Sequence, residues 1–174
     1  MELRTTRLRL RPWRDDDLAS LTAMNAEPEV NTWLGGPGLA ERSGDALRLM
    51  QARLQQQGWG ILRVEDLAGT FLGLAGLQPL RPSLPIAPAI EAVWRFRRAA
   101  WGHGYACEAM TALLPAARQC GAPEDIVALI AVPNLRSAKT AERIGFRHDP
   151  SLDFLHPALD EHHPLRPHRV FRLR

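Results

Sequence analysis

Arg97-Arg98-Ala99-Ala100-Trp101-Gly102-His103-Gly104-Tyr105-Ala106 is the stretch whose reading decides the fold. Ahead of it runs Ala89-Ile90-Glu91-Ala92-Val93-Trp94-Arg95-Phe96, an apolar segment that predicts a strand. Behind it, from Tyr105 to Gln119, Ala106, Met110, Leu113 and Ala117 recur at helical spacing. The decapeptide is therefore a strand-to-helix turn carrying two arginines and two glycines. Gly102 and Gly104 permit positive φ and the close approach of a ligand or a second backbone. N–H groups that open a helix have no intrahelical acceptor, and with the helix dipole they form an anion site suited to phosphate. With nothing bound, the same residues make a plain tight turn.

Outward from this turn the chain alternates between strand and helix signals. Pro79, Pro82, Pro85 and Pro88 punctuate a loop that feeds the Ala89–Phe96 strand. Pro115 falls inside the helical pattern and predicts a kink or a split there, because it offers no N–H to the carbonyl of Thr111. Asp125 to Val132 reads as a buried strand, and Asn134 as the cap of a short helix that Gly145 ends. Phe146 starts another strand, and His168 to Arg172 makes the last.

Toward the N-terminus, Arg7-Leu8-Arg9-Leu10-Arg11 alternates strictly, predicting a strand with leucines inward and a solvated arginine face. Asp15-Asp16-Asp17 reads as the acidic first turn of a helix carrying Leu18, Leu21 and Met24. Glu27 to Leu39, with Trp33, Gly35-Gly36 and Pro37, is expected to be irregular. Asp45 to Gln57 is helical, and Trp59–Glu65 with Thr70–Leu77 predicts a hairpin around Asp66-Leu67-Ala68-Gly69. The whole pattern is α/β in the broad sense, with antiparallel strands flanking a parallel pair.

Two pieces carry a family resemblance. The Trp101-Gly102-His103-Gly104-Tyr105-Ala106-Cys107-Glu108-Ala109 core resembles the acyl-CoA signature of the GNAT acetyltransferase superfamily. Val132-Pro133-Asn134-Leu135-Arg136-Ser137-Ala138, followed by Ile144-Gly145-Phe146, resembles its Asn-x-x-Ser helix and Gly-Phe strand. Order and spacing agree with the family over nearly the whole chain. Glu91 lies where the ribosomal-protein-alanine N-acetyltransferase (RimJ/RimL-like) branch carries a catalytic glutamate. One departure is Ala99, at a position where the superfamily often has Gln or Arg; Arg97 and Arg98 are close but shifted.

The resemblance implies a GNAT-like three-layer α/β/α fold, with a mixed, mostly antiparallel sheet splayed at the parallel pair. It implies acetyl-CoA as co-substrate and no metal. The backbone of Val93 to Phe96, with Trp94 and Phe96, would pair with the pantetheine arm. The pyrophosphate would lie against Arg97, Arg98, Ala99, Trp101, Gly102, His103, Gly104, Tyr105 and Ala106. Glu91 would be the catalytic base and Ser137 the acid, or a donor to the coenzyme sulfur. Asn134 would contact pantetheine, and Trp33 with Leu34 would line the acceptor pocket. Each has a plainer reading: a solvent-facing strand glutamate, a serine bonding the backbone, a helix cap, a packed loop tryptophan.

Composition agrees with a single domain, 1–174, of ordinary character: 45% hydrophobic and 24% charged. All but one of the 22 basic residues are arginine, the exception being Lys139, and the net charge is only +3. That suits an anionic cofactor and argues weakly for nucleic acid. Cys107 and Cys120 read as reduced, buried thiols, and with no leader or membrane-length apolar run they suggest the cytoplasm. His156, His162, His163 and His168 read as proline-flanked, exposed histidines rather than metal ligands.

The expected function is an N-acetyltransferase working by direct attack, monomer or homodimer. Its expected partner is a primary amine such as a protein or peptide N-terminus, with no nucleic acid and no membrane. Competing classes are a non-catalytic acyl-CoA-binding or sensing module, acetylation of a polyamine or antibiotic, and a basic nucleic-acid-binding domain.

Overall fold

Strands β1 (Leu3–Arg4), β2 (Leu8–Arg11), β3 (Ile61–Asp66), β4 (Phe71–Pro79), β5 (Ile90–Phe96), β6 (Ile126–Ala131), β7 (Phe146–His148), β8 (Phe154–Leu155) and β9 (Pro167–Leu173) form one mixed sheet. Its order is β1-β2-β3-β4-β5-β6-β9-β7, with β8 on β9. The pair β5–β6 is parallel, while β2–β3, β3–β4, β6–β9 and β7–β9 are antiparallel. Helices α1 (Leu18–Ala26), α2 (Pro28–Asn31), α3 (Ser43–Gln57), α4 (Tyr105–Gln119) and α5 (Leu135–Ile144) flank it. This is the expected fold class. The computed structural model describes residues 1–34 and 38–173; Gly35-Gly36-Pro37 of the expected irregular stretch lie outside the described residues.

The chain divides into two compact units: Met1–Leu77 with Val93–Ala122, and Gln78–Ala92 with Pro123–Arg174. In the first, Trp13, Leu21, Met24, Val30, Leu47, Met50, Ile61, Phe71 and Leu74 form the core, with Leu34, Val93 and Trp101 packed against it. Burial of such side chains stabilises by about 1.5–3 kcal/mol each. Gly73 lets β5 come close, because a Cβ there would lie 2.2 Å from the carbonyl oxygen of Arg95. In the second, Leu80, Leu84, Val127 and Val170 make a smaller core under the proline-rich loop.

Several expectations are corrected here. The solvated arginine face expected at β2 holds for the exposed Arg7 and in part for Arg9, but not for Arg11. Arg11 is buried, its Nη1 and Nη2 binding Asp17 Oδ2 and Oδ1 at 2.7 and 2.8 Å, and its Nε bonding Glu65 at 3.1 Å. Asp17 is accordingly more than helix-start charge. Burial works to raise its pKa, but Arg11, the Arg14 N–H and Arg63 outweigh that and hold it below the usual carboxylate value.

The segment after Glu27 is not wholly irregular: Pro28 opens the short α2, where its fixed φ and missing N–H cost nothing. Pro115 does not split α4, which runs unbroken from Tyr105 to Gln119. Thr111 and Pro115 are both exposed, so water can satisfy the carbonyl that loses its partner. Neither thiol is buried as expected. Both cysteines are free, with Cys120 exposed and Cys107 half-buried, because each sits on an outer position of α4 or just past its end. Nor do all the late histidines stand apart in solvent. His168 stacks on Phe154 at 5.5 Å and lies 5.2 Å from His156, and burial lowers the pKa of both rings.

Candidate functional site

The strand-to-helix turn has the expected form. Beyond β5 the chain makes one tight turn at Arg98–Ala100, and Trp101 Nε1 donates to the Phe96 carbonyl at 2.7 Å. Gly102 and Gly104 then take φ +84° and +77°, the left-handed region that glycine enters without a Cβ penalty. Gly104 is the N-cap of α4, no side chain caps that helix start, and Glu108 donates the first N–H back to the Gly104 carbonyl. A Cβ at Gly102 would meet nothing within 4 Å, and one at Gly104 only the Arg7 guanidinium at 3.8 Å. An exposed helix start with no side-chain cap, and the helix dipole behind it, is the arrangement a phosphate needs.

Side chains far away in sequence fix this turn. Arg7 donates from Nη1 to the His103 carbonyl at 3.0 Å, and from Nε to Glu108 Oε2 at 2.7 Å. Its guanidinium lies 4.8 Å from the Tyr105 ring centroid, and the Tyr105 ring stacks on His103 at 5.4 Å. Glu108 also accepts from the Thr5 hydroxyl at 2.6 Å and from the Arg7 N–H at 3.0 Å. Burial alone would raise the Glu108 pKa, but Thr5 and Arg7 together hold it below the usual glutamate value. A lowered folded-state pKa means stability that is present above the unfolded value and lost as pH falls through the folded one. Glu108→Gln should therefore lower Tm by roughly 2–4 °C at pH 7, about 1 kcal/mol, with the difference from the parent closing in acid. Thermal melts at pH 7 and below pH 4.5 check this.

Glu27, at the junction of α1 and α2, braces the other side of the turn. Its Oε2 accepts the Arg98 N–H at 2.6 Å and its Oε1 the Arg97 Nε at 3.1 Å. Arg98 itself lies over the Trp101 ring at 5.1 Å. Trp33 is half-buried beyond α2, and its neighbour Leu34 packs with Val93 and Trp101 on the core. On β5, Arg95 donates to Asn25 Oδ1 at 2.7 Å, and Asn25 donates to Ser43 Oγ at 2.9 Å, tying α1, α3 and β5 together.

In the second unit, Glu91 is half-buried and accepts from Gln78 Nε2 at 2.8 Å. It pairs with Val127 in the parallel ladder, one position after Ile90↔Ile126. Asn134 caps α5 as expected, its Oδ1 accepting the Ser137 N–H at 3.1 Å, and Ser137 is half-buried on the first turn. Thus Glu91 with Gln78, and Asn134 with Ser137, form two pairs in one unit, while the glycine turn, Trp94 to Phe96 and Trp33 belong to the other. The contacts of Glu27, Arg7, Glu108 and Gln78 were not foreseen. Glu108 lies inside the quoted signature, and Arg7 and Glu27 inside segments read only for their secondary structure.

Comparison with known proteins gives a consistent result. Residues 7–147 match the family model described as the acetyltransferase (GNAT) domain. The uncharacterized protein YkkB of Bacillus subtilis (strain 168) is 31% identical over 156 residues, 87% of this chain and 88% of its own. A GnaT-family acetyltransferase from Bordetella pertussis superposes with a TM-score of 0.81 at 28% identity, covering 100% of this chain and 99% of that one. Two further structures share the fold at lower identity. RimL, a ribosomal L7/L12 alpha-N-protein acetyltransferase in complex with coenzyme A, gives TM-score 0.76 at 15% identity over 99% and 97% of the chains. Spermidine N-acetyltransferase from Vibrio cholerae, with CoA and spermine, gives 0.75 at 16% over 97% and 96%. Among the described residues, no helix is long and apolar enough to cross a membrane.

Proposed function

The chain belongs to the GNAT acetyltransferases, acetyl-CoA-dependent enzymes, and from that premise we propose that it acetylates a primary amine by direct attack in a ternary complex. In this reading residues 1–174 act as one catalytic domain. Coenzyme A fits the chain on an observation of its own: the exposed, uncapped start of α4 behind two left-handed glycines. Ala100 and Trp101 spend their N–H groups on the Arg97 and Arg98 carbonyls, so the amides from Gly102 to Ala106, with Arg97 and Arg98 beside them, would hold the pyrophosphate. The backbone of β5 at Trp94 and Phe96 would pair with the pantetheine arm as an added strand. Bound there, acetyl-CoA supplies an acyl carbon already activated as a thioester.

The remaining work falls to side chains. Glu91 takes the proton of the amine, directly or through one water, and its half-buried carboxylate is the observation that carries the proposal. The Ser137 hydroxyl donates to the leaving sulfur, and Asn134, fixed by its cap bond, contacts pantetheine. Trp33, with Leu34 packed on the core beside it, lines the acceptor side.

The acceptor we propose is an α-amine, such as a peptide N-terminus. A lysine-type amine of pKa about 10.4 costs roughly 4–5 kcal/mol to deprotonate at pH 7, against about 1 kcal/mol for an α-amine near 8. With Glu91 as the base, the cheaper donor is favoured. At pH 7, kcat/KM on an alanine-initiated peptide should exceed that on an N-blocked lysine peptide by at least about tenfold. Thiol release from acetyl-CoA, followed across these peptides, spermidine and small amines, tests both parts. No release with any amine refutes catalysis; a preference for lysine or spermidine refutes the α-amine acceptor.

A further inference from the structure

Glu91 does not stand alone on its face of the sheet. Gln78 Nε2 donates to its Oε2 at 2.8 Å, from the neighbouring strand and from a half-buried position. An amide N–H aimed at a carboxylate stabilises the charged form, more strongly in a part-buried place than in water. It also restricts the rotation of a side chain with three torsions, so the carboxylate keeps one plane. A general base needs both: it must be ionised at working pH, and it must be held to a narrow geometry.

We infer that Gln78 is a positioning residue for acetyl transfer, its side-chain amide orienting the Glu91 carboxylate and keeping it ionised while the acceptor amine is bound. The inference rests on Glu91 acting as the base. Facing Glu91, β4 presents Gln78, which does not titrate, and β6 presents Val127 at the same register. Along β5 the alternation of the strand puts Val93 and Arg95 on the same side, so Arg95 is a charged group of that side. Gln78 is a neutral donor in direct contact with the base. The cost of the arrangement is a slightly weaker base, offset by a larger ionised fraction in the acid half of the working range.

Gln78→Met keeps length and bulk and removes the donor. In this variant the acidic limb of the kcat/KM profile should move up by about one pH unit, the size expected for one hydrogen bond to a charge. At its plateau, kcat should fall roughly tenfold, with KM for acetyl-CoA unchanged. Gln78→Glu keeps a polar side chain of equal reach but sets a second carboxylate against the first. Its limb should move further, because the two share a proton at neutral pH.

A measurement independent of turnover accompanies these. Carbon-13 carboxyl titration of the full chain, labelled at glutamate, follows Glu91 itself, with its signal assigned by its loss in Glu91→Gln. A midpoint higher in either Gln78 variant than in the parent supports the inference. Unmoved midpoints and limbs in a folded variant overturn it, leaving a sheet contact with no part in the reaction. Should Glu91→Gln turn over at the parent rate, the base assignment falls and takes this inference with it. If Glu91→Gln is crippled while the Gln78 variants match the parent, only the role of Gln78 is lost.

Discussion

Glu91→Gln is expected to cost about 10²–10⁴ in kcat, the usual scale for losing a general base. The substitution keeps the shape, and Gln78 can turn its amide to meet the new side chain, so the hydrogen bond between β4 and β5 need not break. What disappears is the proton acceptor. Coenzyme A affinity should hold, because the turn proposed to bind it uses backbone groups from Gly102 to Ala106, and the loss should fall on kcat rather than on KM for acetyl-CoA. It should also shrink as pH rises, since more of the amine arrives already neutral. An enzyme with parental kcat and an unchanged pH profile would remove Glu91 from the mechanism. Glu27, an acid of the early loop beside the turn, would be a poor replacement. Its two oxygens are already engaged by the Arg97 guanidinium and the Arg98 N–H at the turn.

That contrast between Glu91 and Glu27 shows what sequence could and could not reveal. The place of Glu91 on β5 was legible because its setting is local: an acid in an apolar strand, one element ahead of a glycine turn. The limits of α4, Tyr105 to Gln119, and the capping of α5 by Asn134 were legible for the same reason, since periodicity and caps act over a few residues. Glu27 meets Arg97 and Arg98 across 70 and 71 residues, and Arg7 meets Glu108 across 101. No pattern of types at such separations announces a contact. Arg11 misled in a further way. Its alternation with Leu8 and Leu10 was right for a strand, but Asp17 in the turn before α1 folds over that end and binds it. Strict alternation fixes which side a residue points to; whether that side meets water depends on what the chain later lays across it.

Gly104→Val tests the coenzyme site and should weaken coenzyme A binding about a thousandfold or more. Three amide–phosphate bonds at about 1.5 kcal/mol each would account for that factor. The fold should survive this substitution. A Cβ built on Gly104 meets only the Arg7 guanidinium, a flexible end, at 3.8 Å, so there is room for a side chain. The penalty is backbone strain: φ of +77° costs a β-branched residue on the order of 1–2 kcal/mol, a few degrees of Tm in a chain of this size. The new side chain, however, would stand over the open amides at the start of α4, in the volume the phosphates must enter. It would also loosen the left-handed turn that aims those amides. Gly102→Ala is the milder companion, with nothing within 4 Å of its Cβ, and should weaken binding less while straining the turn similarly at φ +84°. Titration calorimetry with coenzyme A, alongside thermal melts of the same samples, separates strain from lost binding. A folded Gly104→Val protein that binds coenzyme A as tightly as the parent would move the pyrophosphate away from this turn.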